Sequence, residues 1–224
     1  MQQSSNYILN LSPKKLTIYL ILAPLLLFLI YTIATLGIQR FSEDHLTQQA
    51  ILDIVLGMGL LCLAVFFILL LCWSWSTVTS VSKKDLGLSL RWFRIAIALF
   101  VIYLLYSVCF SYMKNVPMIY QDIFYPLNEF IAFGGLLIAY PTICHYIARA
   151  AIVKRNNQPS SFLNALPFTL VLFFGAVLAI PFLHTYFSTK SSTIAQILVI
   201  YAIAFSVFIL LFIVGLVASI AGLV

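Results

Sequence analysis

The chain has 224 residues, 63% of them hydrophobic and 8% charged, with a formal net charge of +6. Soluble domains carry about 25% charged residues, so this composition excludes a water-covered globule and implies burial in lipid. Nor does the basic excess imply nucleic acid. The Lys and Arg residues sit in short links between apolar runs, not in one stripe that could displace counterions.

Residues 1–15 are polar and end in Lys14-Lys15. The run Leu16–Ile38 is then uncharged over 23 residues, more than the ~20 that span a bilayer and longer than the ~7–15 of a signal peptide's apolar region. It reads as a retained first membrane helix, about 16–38, bent or locally opened at Pro24. Five more runs follow at about 50–73, 92–112, 127–147, 163–187 and 194–224. None alternates with period two as a membrane β-strand does. The expected fold is therefore an all-α membrane protein, one polytopic domain over 1–224. It is a six-transmembrane-helix bundle arranged as three hairpins, with Pro141 and Pro181 interrupting two of the spans.

The basic residues set an orientation. With the N-terminus inside, cytoplasmic segments hold Lys14, Lys15, Lys83, Lys84, Arg91, Arg94, Arg149, Lys154 and Arg155, and outer segments hold Arg40, Lys114 and Lys190. Both termini are then cytoplasmic, and the bias suits a bacterial inner (plasma) membrane. Trp73, Trp75 and Trp92 flank the link between the second and third helices, where indole rings favour a membrane interface. Basic pairs at 14–15, 83–84 and 154–155 each precede a hairpin, the pattern of a parallel repeat or of any three hairpins that obey the same charge rule.

Polar groups inside apolar runs are the candidates for chemistry. The fourth run gathers most of them: Asn128 and Glu129 at its start, Gly134 and Gly135, then Pro141, His145 and Arg149. Glu129 is a candidate ion or substrate ligand, with Asn128 beside it. Asp53, placed alike near the outer start of the second run, and His184, three residues after Pro181, complete that set. A carboxylate in a first turn is also what the helix dipole favours. At 100° per residue His145 shares a face with Gly134, Ile138, Pro141 and Arg149, which reads as pointing into protein. Cys62, Cys72, Cys109 and Cys144 all lie in apolar runs without a C-x-x-C pair, as packing residues do. No hydrolase, phosphate-loop or zinc-protease motif occurs, and neither a cofactor nor a bound metal is expected.

The last run, Ile194–Val224, is 31 residues without a charge. It would be about 46 Å long as one helix, against a ~30 Å hydrocarbon core. Gly215, Ala218, Ser219 and Gly222 fall at i, i+3, i+4 and i+7, a stripe of small residues that admits a close-packed helix. It is the expected interface with another membrane subunit or a second copy. These features point to a non-enzymatic accessory or structural subunit of a membrane assembly. The alternative is a small proton- or cation-coupled transporter or channel-like carrier that uses Glu129.

Overall fold

The computed structural model describes residues 7–41, 64–81, 83–112, 126–190 and 192–220. All of its regular structure is helical: α1 (Pro13–Thr17), a π-helical segment (Ile18–Leu22), α2 (Ala23–Phe41), α3 (Ala64–Thr79), α4 (Lys83–Leu86), α5 (Leu90–Tyr112), a second π-helical segment (Phe133–Ala139), α6 (Tyr140–Asn156), α7 (Phe162–His184) and α8 (Ile194–Ile220). Five continuous helical stretches are long and apolar enough to cross a membrane: Pro13–Ala34, Leu90–Ser107, Pro126–Asn156, Phe162–His184 and Ile194–Val217. The protein is thus an all-helical, multi-pass membrane protein by length and composition. α3 is apolar but shorter, so the described residues carry five such stretches where the sequence suggests six. The remainder of the 50–73 run lies outside the described residues.

The described π-helical segments have one cause. Each ends two residues before a proline, at Leu22 before Pro24 and at Ala139 before Pro141. Proline lacks an N–H, and its ring collides with the carbonyl four residues back. Widening the preceding turn removes that collision while keeping the neighbouring backbone groups paired. Accordingly, the residue just before each proline donates five residues back, Ala23 to Ile18 and Tyr140 to Gly135. α7 responds differently. It breaks at Gly175, whose φ of −143° and ψ of 36° are not helical.

The chain divides into two compact units, Met1–Trp73 with Pro181–Val224, and Ser74–Ile180. They do not coincide with three consecutive hairpins, because the first and last spans share a unit.

In the first unit, Ser12 caps α1, its hydroxyl accepting from the Lys15 amide at 3.3 Å, and Pro13 stands at the start of the helix. α8 packs along α1, the π-helical turn and α2, burying Ile197, Ile200, Ala204 and Leu211. The two begin at one end, where the Lys14 amide donates to Ser192 Oγ at 3.4 Å. They therefore run parallel. At the same end, Ser188 Oγ donates to the Leu11 carbonyl at 2.7 Å and Thr189 Oγ1 to Asn10 Oδ1 at 3.1 Å. This departs from the six-crossing plan, in which 10–14 and 184–192 lie on opposite faces and the first and last helices are antiparallel.

In the second unit, α5 packs against the second π-helical segment and α6, and α4 against α6. Gly135 makes the tightest approach, since a Cβ there would overlap the Tyr103 ring. One end is closed by backbone pairing. Ser160 N–H donates to the Asp85 carbonyl at 3.2 Å, Tyr146 Oη donates to the Ser89 carbonyl, and Arg149 Nη2 donates to the Ser160 carbonyl at 3.0 Å. Asn157, left-handed at φ 51°, ends α6 with its N–H on the Val153 carbonyl, a role for which Asn is second only to Gly.

Candidate functional site

Among the sequence candidates, Asn128 and Glu129 fall in the first turn of the helical stretch that opens at Pro126, Glu129 exposed and Asn128 half-buried. Asp53 lies outside the described residues. His184 belongs to the other unit, where it is fully buried. Its Nδ1 accepts from Trp73 Nε1–H at 3.0 Å, which leaves the ring proton on Nε2 to be donated to the Leu11 carbonyl at 2.9 Å. Both ring nitrogens are thus occupied in joining the N-terminal segment, α3 and the end of α7. Trp73 is accordingly a buried donor and not an interfacial anchor.

At the small-residue stripe, a Cβ on Gly215 would meet nothing within 4 Å. Ala218 and Ser219 continue α8, and Gly222 lies outside the described residues.

His145 faces α7 and lines a groove of about 750 Å³ within the second unit. α5 contributes Trp92, Ile95, Ala96 and Leu99; the π-helical segment and α6 contribute Ile138, Pro141, Thr142 and His145; α7 contributes Phe162, Leu166, Thr169, Leu170 and Phe173. From Phe162 to Phe173 the lining covers about 16 Å of helix. The volume falls within the ~300–1,000 Å³ typical of ligand pockets. The same stripe of α6 continues to Arg149, four residues past His145 and only 6% exposed.

The groove's few polar atoms are specific in their needs. Thr169 Oγ1 gives its single proton to the Ala165 carbonyl at 2.8 Å. It therefore accepts from His145 Nδ1, 3.0 Å away. His145 Nε2 is then an acceptor, and it is buried without a partner. Phe162 covers the imidazole, with ring centroids 4.8 Å apart. Thr142 Oγ1 is spent on the Ile138 carbonyl at 2.6 Å. On the inner side, Tyr140 Oη donates to the Leu172 carbonyl at 3.2 Å while its ring stacks between Phe100 and Phe173. Such a site offers apolar contact along its length and one hydrogen-bond acceptor near one end. No group of three or more His, Cys, Asp or Glu capable of holding a metal occurs among the described residues.

The groove was not legible from the polar residues alone. Its signal is that α5 and α7 place apolar residues at i, i+4 and i+7 or i+8, a pattern that any packed membrane helix also shows. No protein-family model matches the chain, and no curated protein or solved structure is significantly similar to it.

Proposed function

We propose that this protein is a non-enzymatic accessory component of a membrane assembly, and that the groove of its second unit holds the chain of one membrane lipid. The observation that carries this reading is the groove itself: long, almost wholly apolar and lined by three membrane-length helical stretches, a site matched to an acyl chain. Its polar groups are mostly engaged within α6 and α7 or between them, which supports a structural role over catalysis. The open space around Gly215 supports a partner helix, or a second copy, along the last turns of α8. The basic bias supports a cytoplasmic, bacterial-type inner-membrane orientation for the links at 83–94 and 149–161.

The test is retention of lipid through purification in mild detergent, read by native mass spectrometry. Wild type carries one lipid per chain. Thr142→Trp, which fills the groove from α6, carries none while keeping its melting temperature. A lipid-free wild type, or equal retention by the variant, overturns the lipid reading.

Carrier activity through Glu129 is the second reading, favoured by the π-helical segment that follows Glu129 in the same helix, because such segments recur at functional sites. It requires solute flux into vesicles that Glu129→Gln abolishes.

A further inference from the structure

The apolar groove ends where charge is concentrated. The end of the second unit that holds α4, the start of α5, the end of α6 and the start of α7 is fixed by the Ser160–Asp85 and Tyr146–Ser89 hydrogen bonds. Residues 83–94 and 146–162 meet there, and they contain seven basic residues and one acidic residue, Asp85. Arg91, Arg94, Lys154 and Arg155 are exposed, whereas Arg149 is buried with its Nε unpartnered. These groups differ in their relation to the groove. Arg94 turns away, its guanidinium 5.8 Å over the Trp75 ring. Arg91 precedes groove-lining Trp92 and lies one helical turn before groove-lining Ile95, so it flanks the mouth. Trp92 itself is 65% exposed. An indole at the rim of a groove marks the depth of headgroups.

Resting on the lipid reading above, we infer that the occupant is an anionic phospholipid. One acyl chain runs from Phe162 towards Phe173, and the phosphate sits at the α5 start against Arg91, inside the field of the surrounding basic residues. Apolar contact alone fits the chain of any lipid. The charge at one end selects among headgroups, since a single basic residue near a membrane surface contributes ~1 kcal/mol towards anionic lipid. Arg91 supplies a fork of donors suited to phosphate oxygens.

Trp92 reports occupancy directly. The full-length protein is reconstituted in phosphatidylcholine vesicles containing a small fraction of brominated lipid, either phosphatidylglycerol or phosphatidylcholine, and the Trp92 signal is taken as the difference between wild type and Trp92→Phe. Brominated phosphatidylglycerol quenches Trp92 at several-fold lower content than brominated phosphatidylcholine. Arg91→Gln weakens that preference about fivefold, the equivalent of the ~1 kcal/mol per basic residue, and Arg91→Lys restores most of it. Thr142→Trp removes the preference by excluding the chain. If both brominated lipids quench alike in wild type while one lipid per chain is still retained in detergent, the chain reading stands and the headgroup inference falls. If the preference persists undiminished in Arg91→Gln, the basic end serves only to orient the protein, and the inference is wrong. Absence of retained lipid together with absence of preference overturns both.

Discussion

Gly134 and Gly135 are neighbours in sequence with opposite surroundings. A Cβ on Gly134 meets nothing within 4 Å, while one on Gly135 overlaps the Tyr103 ring. Gly135→Ala is expected to cost ~1–3 kcal/mol through overpacking. Gly134→Ala is expected to stabilise by up to ~1 kcal/mol, as alanine replaces glycine in a helix. Thermal or denaturant unfolding in one detergent checks the contrast, and equal effects would refute the close approach of α5. The Trp73–His184 bond is a second residue-scale contact with a definite signature. Trp73→Phe and His184→Gln, singly and together, are expected to be non-additive by ~0.5–3 kcal/mol, as partners in one hydrogen-bond network are. Strict additivity would show that the two side chains do not depend on each other. Neither contact was visible in the sequence. His184 reads there as a candidate ligand because Leu11, Trp73 and His184 are brought together only by the tertiary fold, and the 100° wheel singles out Gly134 whereas the close approach to α5 is at Gly135.

At the scale of elements, the helical class and the membrane-length runs were legible because a bilayer demands long apolar segments with satisfied backbones, a one-dimensional constraint. The opening near Pro24 was legible for the same kind of reason. The 100° wheel put Ile138, Pro141 and His145 on one face, and that face lines the groove; hydropathy does not say whether such a face meets a packed neighbour or an open groove. Through Phe133–Ala139 the helix is wider than 3.6 residues per turn, so the wheel does not carry across to Gly134. The widening follows from Pro141, whose ring excludes a continuous α-helix. Deleting Leu137 removes one residue from the π-helical segment and forces Pro141 against a continuous α-helix, at a cost of ~3 kcal/mol or more. Pro141→Ala in the deleted background is expected to recover most of that loss, whereas in the full-length chain it should change stability far less. If the deletion is equally damaging with and without Pro141, the proline is not what opens the helix.

For the whole molecule, the decisive geometry is the end of the first unit where Asn10, Leu11, Lys14, Ser188, Thr189 and Ser192 meet. Six alternating spans place Leu11 and His184 on opposite membrane faces, five crossings apart, whereas here the two meet through a hydrogen bond. The positive-inside count weighs the charges of each link and has no knowledge of which links touch. Lys190, assigned to the outer side by alternation, lies at the same end of the first unit as Lys14 and Lys15. Single cysteines at Asn10 and Thr189, in a cysteine-free background, should therefore react with an impermeant thiol reagent from the same side of the membrane. Placed together, they should form a disulfide under mild oxidation, since their side chains already meet at 3.1 Å. Labelling from opposite sides, with no cross-link, would restore six alternating spans and would require the first and last helices to run antiparallel. Same-side labelling leaves one apolar run before His184 that enters without crossing. A cysteine scan on either side of Gly175 then decides whether it is α7, because a run that turns back places residues 162 and 184 on one face and Gly175 at its deepest point.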